Sequence, residues 1–253
     1  MNALRSRILN NELTVGSWIT LACPDVAEVL GQAGFDWLTV DMEHSSIGIN
    51  EAQHLIRAIQ LVGSVPLVRV SENDPTLIKR VLDCGAQGVI VPMVNSAEDA
   101  RAAVAAVRYP PTGVRGVGLA RAQAYGFGFD EYREWMVDGP IVVVQIEHIR
   151  AVEALEEILS VDRVDACLVG PYDLSASMGT PGEFENPEVL SALRRVEEVT
   201  LGLGKTLGFH VIPPDAAELE KKIAAGYRFL GFSLDTLFLG TLSRSELGKI
   251  RRS

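Results

Sequence analysis

Asp41, Glu43 and His44 stand together in FDWLTVDMEHSS (35–46), where an apolar run containing Trp37, Leu38 and Val40 ends. Two carboxylates and an imidazole within four positions can take up and hold a proton, and histidine has the ordinary pKa best suited to a general base. Other ionisable residues close apolar runs in the same way: Arg69 after VPLV, Glu147 after IVVVQI, and Asp173 at the end of ACLVGPYD. Two acids on adjacent strands repel each other unless a cation lies between them, so Glu147 and Asp173 read as a metal-binding pair. Plainer roles stand beside these: Arg69 as a salt-bridge partner, Asp173 as a helix cap, Glu43 as a solvated side chain. His54 falls inside a helical pattern, His148 follows Glu147, and His210 ends a later apolar run. Only His44 lies among acids after a strand.

Groups so far apart in sequence act together only if the fold gathers the ends of their runs. Eight short apolar runs serve as predicted strands: 15–21, 37–42, 65–70, 88–94, 141–147, 166–173, 206–211 and 229–235. Between them lie helical patterns such as INEAQHLIRAIQLV and NPEVLSALRRVEEVT, with apolar residues three to four apart. Pro75 and Pro214 mark first turns, and Gly34, Gly85 and Gly226 follow last turns. Continuously apolar strands alternating with helices imply a parallel sheet covered on both faces. Eight such units in 253 residues predict a single-domain α/β (β/α)₈ TIM barrel. No GxGxxG follows the first strand to favour a doubly wound sheet. In such a barrel the C-terminal strand ends carry the chemistry, and Asp41, Glu43, His44, Arg69, Glu147 and Asp173 all map there. The stretch RYPPTGVRGVGLARAQAYGFGFDEY (108–132) departs from the alternation and reads as a long loop.

Composition narrows the partners. The chain is 47% apolar with a formal charge of −10, which supports a substantial core and opposes nucleic-acid binding. An anionic substrate therefore needs local positive charge at its site. The N-terminal segment lacks the apolar stretch of a signal peptide and no run is long enough to span a membrane, so a cytoplasmic protein without membrane contact is expected. Cys23, Cys84 and Cys167 show no metal-ligand spacing and read as buried small hydrophobes. Imine chemistry needs a lysine at the catalytic end of a strand. Lys79, Lys205, Lys221, Lys222 and Lys249 all fall in helical patterns or at a strand start, which leaves carboxylates and an oxygen-bound cation.

Assembled, these residues resemble the HpcH/HpaI aldolase family of metal-dependent, class II pyruvate aldolases. The resemblance runs through AGFDWLTVDMEH, VPLVRV, NDPTLIKRVLDCGAQGVIVPMV, RYPPTGVRGVG, VVQIEH and VGPYDLSASMG. It implies a homo-hexamer (a trimer of dimers) and an enzyme that splits a 4-hydroxy-2-oxo acid into pyruvate and an aldehyde. Glu147 and Asp173 match the ligands of Mg²⁺, Mn²⁺ or Co²⁺. Gln145 matches a residue that holds the pyruvate unit, and Gly170, Pro171 and Tyr172 the segment that receives its carboxylate, although Pro171 has no N–H to donate. His44 matches the proton acceptor and Arg69 the group that stabilises the enolate. Asp83 matches an acid that raises the histidine's basicity. Because Asp83 closes a helical pattern, it belongs at the opposite rim unless a neighbouring subunit supplies it or the helix ends elsewhere. Arg121 is equated with the family's substrate-facing arginine. Trp18, Leu234 and the 119–130 loop are candidate aldehyde contacts. Oxaloacetate decarboxylation or decarboxylating synthesis would use the same enolate. A CoA-ester lyase lacks a basic surface for the CoA phosphates, and a non-catalytic barrel would not need the intact polar set.

Overall fold

The computed structural model describes residues 2–251. Among them, β1 (Thr14–Ile19), β2 (Trp37–Asp41), β3 (Val65–Arg69), β4 (Gly88–Val91), β5 (Ile141–Ile146), β6 (Ala166–Val169), β7 (Thr206–Val211) and β8 (Phe229–Leu234) form a closed barrel in chain order. Every pairing is parallel, including β8 with β1. The strand C-termini therefore share one rim, and the expected (β/α)₈ barrel is the fold observed.

The described helices are α1 (Ala3–Leu9), α2 (Pro24–Gln32), α3 (Ile49–Leu61), α4 (Pro75–Asp83), α5 (Ala97–Val107), α6 (Phe129–Asp138), α7 (Ile149–Glu153), α8 (Leu155–Leu159), α9 (Pro171–Ser177), α10 (Pro187–Gly202), α11 (Ala216–Ala224) and α12 (Asp235–Arg251). Three of them, α1, α6 and α12, were not anticipated, and α9 starts at Pro171, before the Asp173 read as its possible cap. The pattern at 149–160, read as one helix, breaks at Ala154 into α7 and α8. The expected loop 108–132 is largely ordered, with a 3₁₀ stretch at Arg121–Gly126 before α6. Its anchor is Arg115, buried between the Tyr109 and Tyr132 rings and bonded to the Tyr132 hydroxyl at 2.9 Å.

Two apolar layers hold the barrel. One joins the strands to the surrounding helices, with Leu55, Ile59, Val81, Val144 and Val196 among its fully buried members. The other fills the interior, where Leu4 and Ile8 of α1 meet Trp37, Leu67, Ile141 and Phe229. Trp37 stacks on Phe229 at 4.3 Å, and Trp18 meets Trp37 edge-on at 5.5 Å. A Cβ at Gly16 would lie 2.0 Å from the Trp37 ring, so the absence of a side chain there makes room for the column. Above it, Trp18 stacks on His210 at 4.2 Å, directly beneath the polar rim.

Candidate active site

The β2–β3 ladder places Asp41 opposite Arg69. Asp41, almost wholly buried, accepts from Arg69 Nε at 3.0 Å and Nη2 at 2.7 Å. Its Oδ1 also receives the backbone N–H groups of Glu43 and His44 at 3.1 and 3.2 Å, while the Ser45 hydroxyl donates to the Asp41 carbonyl. One carboxylate thereby shapes the turn and fixes the guanidinium. Glu43 Oε2 lies 3.3 Å from Arg69 Nη1 and 3.8 Å from His44 Nε2. The Glu43 side chain is only 15% exposed, which corrects the solvated reading, whereas that of His44 is 64% exposed. Burial pushes the Glu43 carboxyl up to about 7; Arg69 opposes this, and Glu147, Asp41 and Asp173 reinforce it.

Glu147 follows β5 and is buried. Its Oε1 accepts the Met93 N–H at 2.6 Å, and Oε2 accepts from the Gln145 side-chain amide. Met93 adopts φ +52, a costly value for a side chain with a Cβ, and this turns its amide toward the acid. Burial raises the Glu147 carboxyl above its ordinary range; the two hydrogen bonds oppose the rise, Asp173 adds to it, and Arg69 opposes it. A Cβ at Gly170 would sit 2.9 Å from Glu147 Cβ and 3.0 Å from Oε2, so any side chain here would force Glu147 to shift. Asp173 does not end a strand as expected. Pro171 starts α9 immediately after Gly170, and Asp173 occupies the helix's first turn. The Gly170 amide is already bonded to the Ile146 carbonyl at 3.0 Å, which leaves the first-turn amides of Tyr172 and Asp173 to meet an anion.

Glu147, Asp173 and Glu43 thus crowd one mouth whose guanidinium is already paired to Asp41. Among the described residues no group of three or more His, Cys, Asp or Glu forms a complete cage. Two carboxylates close enough for Asp173 to raise the Glu147 carboxyl fit a hard cation that takes its remaining oxygen ligands from water and substrate. Gln145 Oε1, buried without a hydrogen-bond partner, is a further oxygen facing this region.

Other anticipated residues fall elsewhere. Trp18 is buried as the floor of the site, with Arg69 5.8 Å from its ring, and does not form an exposed lip. Leu234, the last residue of β8, is half-buried against the interior layer. The helix boundary at Asp83 is as expected: it ends α4 on the opposite rim and binds Arg115 at 2.6 Å, away from His44 of the same chain. Arg121 is likewise remote. It donates to the Cys84 carbonyl at 3.0 Å and to Gln60 at 2.6 Å, past the C-terminal ends of α4 and α3. His54 is exposed on α3, and His148 caps α7 by accepting the Arg150 N–H. His210 donates from Nε2 to the Ser233 carbonyl at 2.9 Å, and burial lowers its pKa to about 4, so it stays neutral. Sequence reasoning missed the place of Glu43 beside Arg69 and the Met93 amide. The spacing Asp41-x-Glu43-His44 held the signal for the first, while nothing in PMVN announces the second.

Comparison with known proteins identifies the family. The family model described as HpcH/HpaI aldolase/citrate lyase matches residues 14–238. The 2-keto-3-deoxy-L-rhamnonate aldolase of Escherichia coli K12 is 37% identical over 237 residues, covering 93% of this chain and 88% of that protein. A crystal structure of an HpcH/HpaI aldolase/citrate lyase family protein from Burkholderia cenocepacia J2315 has a TM-score of 0.94 at 35% identity, covering 99% of this chain and all of that one. The HpcH/HpaI aldolase from Desulfitobacterium hafniense DCB-2 superposes with a TM-score of 0.90 at 31% identity, over 100% of this chain and 98% of that one. From the barrel, the gathered polar rim and these likenesses together, the chain belongs to the HpcH/HpaI aldolase/citrate lyase family and is an enzyme of the carbon–carbon lyase class.

Proposed function

We propose that this enzyme cleaves a 4-hydroxy-2-oxo acid to pyruvate and an aldehyde, and runs the addition in reverse, with a divalent cation held by Glu147 and Asp173. The observation that carries the reading is a buried, raised Glu147 carboxyl facing further acids, across the mouth from an arginine locked by Asp41. When bound, Mg²⁺, Mn²⁺ or Co²⁺ supplies Lewis-acid polarisation of the 2-oxo group. His44, exposed at the rim beside Glu43, takes the proton of the 4-hydroxyl, directly or through water, as the C3–C4 bond breaks. Arg69, already oriented by Asp41, faces the negative charge that develops as pyruvate enolate forms. Gln145 positions the pyruvate unit, and the Tyr172 and Asp173 amides receive its carboxylate. The substrate in the name of the E. coli relative is itself a 3-deoxy-2-keto acid, which fits this class. Asp83 acts, on this reading, from a neighbouring subunit of a cytoplasmic hexamer, a trimer of dimers.

The test uses chelation and substitution together. EDTA abolishes aldol activity and Mn²⁺ or Co²⁺ restores it, while Arg69→Ala loses about 10²–10³ in kcat, the usual cost of one preorganised donor. Full activity after exhaustive chelation, with imine trapping by borohydride, overturns the class. Pyruvate release from oxaloacetate with no aldol activity toward any aldehyde replaces it with the decarboxylase reading.

A further inference from the structure

We infer that His210 selects the 2-oxo acid half of the substrate: its Nδ1 accepts a hydrogen bond from a hydroxyl on C3, so the enzyme takes hydroxypyruvate as well as pyruvate. This deepens the aldolase reading above and rests on it. Along β7, Phe209 packs outward against the helix-side layer, while Thr206 faces inward and donates to the Ile8 carbonyl of α1. Alternation therefore turns His210 to the barrel interior, next to the C-terminal end of the strand. Its ring lies flat on the Trp18 indole, 4.2 Å between centroids, and the Arg69 guanidinium is 5.8 Å from the same indole. Trp18, Trp37 and Phe229 fill the barrel beneath, and His210 is only half-buried, so its remaining surface opens to the mouth.

Backbone geometry fixes the tautomer of this ring. Ser233 adopts φ +52 where the β8–β1 register shifts, and its carbonyl accepts from Ser17 Oγ at 3.2 Å and from His210 Nε2 at 2.9 Å. A carbonyl only accepts, so Nε2 carries the proton and the neutral ring keeps its lone pair on Nδ1. Burial holds the ring neutral. Among the described residues no donor reaches that nitrogen, which leaves it to water or ligand. His44, the proposed acceptor of the 4-hydroxyl proton, has a side chain 64% exposed, so the aldehyde half lies toward solvent and the 2-oxo acid half inward, over Trp18. A hydroxyl on C3 of that half donates to Nδ1, whereas a methyl displaces water and leaves the lone pair unpaired. In the addition, C3 of hydroxypyruvate gives up one proton and bonds the aldehyde carbon, whose oxygen gains a proton. The C3 hydroxyl is retained, and no other reactant is required.

The experiment follows exchange of C3 protons in D₂O by NMR, with Mn²⁺ and no aldehyde, for hydroxypyruvate, 2-oxobutanoate and pyruvate. Hydroxypyruvate and 2-oxobutanoate place groups of nearly equal size on C3, so the ratio of their kcat/KM values isolates the hydrogen bond. His210→Phe keeps an aromatic ring against Trp18 but has no acceptor. The ratio is about tenfold higher in the wild type than in this variant, the usual penalty for leaving a buried acceptor unpaired. His210→Leu carries the same test should the first variant not fold. Equal ratios in wild type and a folded variant overturn the inference, and so does a wild type that exchanges 2-oxobutanoate as readily as hydroxypyruvate. Exchange of pyruvate without exchange of hydroxypyruvate sinks this inference alone. No exchange of any of the three acids sinks the aldolase reading beneath it.

Discussion

At the scale of single residues, Asp41 and Glu43 divide the work that their shared stretch suggested. Asp41 is spent on Arg69 and on the turn, so what it supplies is orientation of the guanidinium. Glu43 is the titrating group. Its carboxyl is pushed up to about 7, above an ordinary carboxylate near 4.5, so the folded protein holds this proton more tightly than the unfolded chain. The associated stability is complete below the unfolded pKa and is lost as pH rises through the folded one. Glu43→Gln removes that loss. In EDTA, thermal melts of the variant gain on wild type between about pH 4.5 and pH 7 and keep a constant advantage above it. A difference in Tm that does not vary with pH shows that Glu43 does not titrate in this window. Aspartate, x, glutamate and histidine after an apolar run were enough to place an acid pair and an imidazole together at the rim. They could not tell the anchor from the titrating acid, because that depends on which carboxylate Arg69 reaches with two nitrogens.

At the scale of elements, the decisive joint is β5–Gly170–α9. β5 delivers Glu147, and the chain after β6 must pass within van der Waals contact of that carboxylate before turning into a helix that carries Asp173. Gly170→Ala inserts a methyl 2.9 Å from Glu147 Cβ at a backbone conformation alanine tolerates, so the variant folds and the carboxylate moves. Mn²⁺ affinity by calorimetry falls about tenfold or more, the usual cost of disturbing the support of a metal ligand. Unchanged affinity places the cation away from Glu147. The strand reading of ACLVGPYD failed here for a physical reason. Its first residues are continuously apolar, but Pro171 is a helix-first-turn residue, and the polar end of the run belongs to α9. The charged α1 was missed because its buried face depends on partners far along the chain.

The whole molecule is sealed at the rim opposite the site by Arg5 of α1, which binds Asp165 at 2.7 Å with both side chains buried. Arg5→Met leaves Asp165 without its cation and lowers unfolding free energy by about 3 kcal/mol, while R5M combined with D165N recovers much of the loss. Denaturant unfolding of the three proteins checks this, and additive losses mean that the pair is not coupled. Local pattern was enough to specify eight strands, because a parallel strand buried on both faces must be apolar throughout. It was also enough to place Asp41, Arg69 and Glu147 on one rim, since parallel closure aligns every strand C-terminus. Position within an element, however, does not say which face or end of the barrel a long side chain serves. Asp83 and Arg121 match a family pattern yet sit at the far end, tied to Arg115, Cys84 and Gln60. Contacts across dozens of residues, set by packing and by competition for hydrogen-bond partners, have no signature in neighbouring letters, and closure of the chain in three dimensions made those choices.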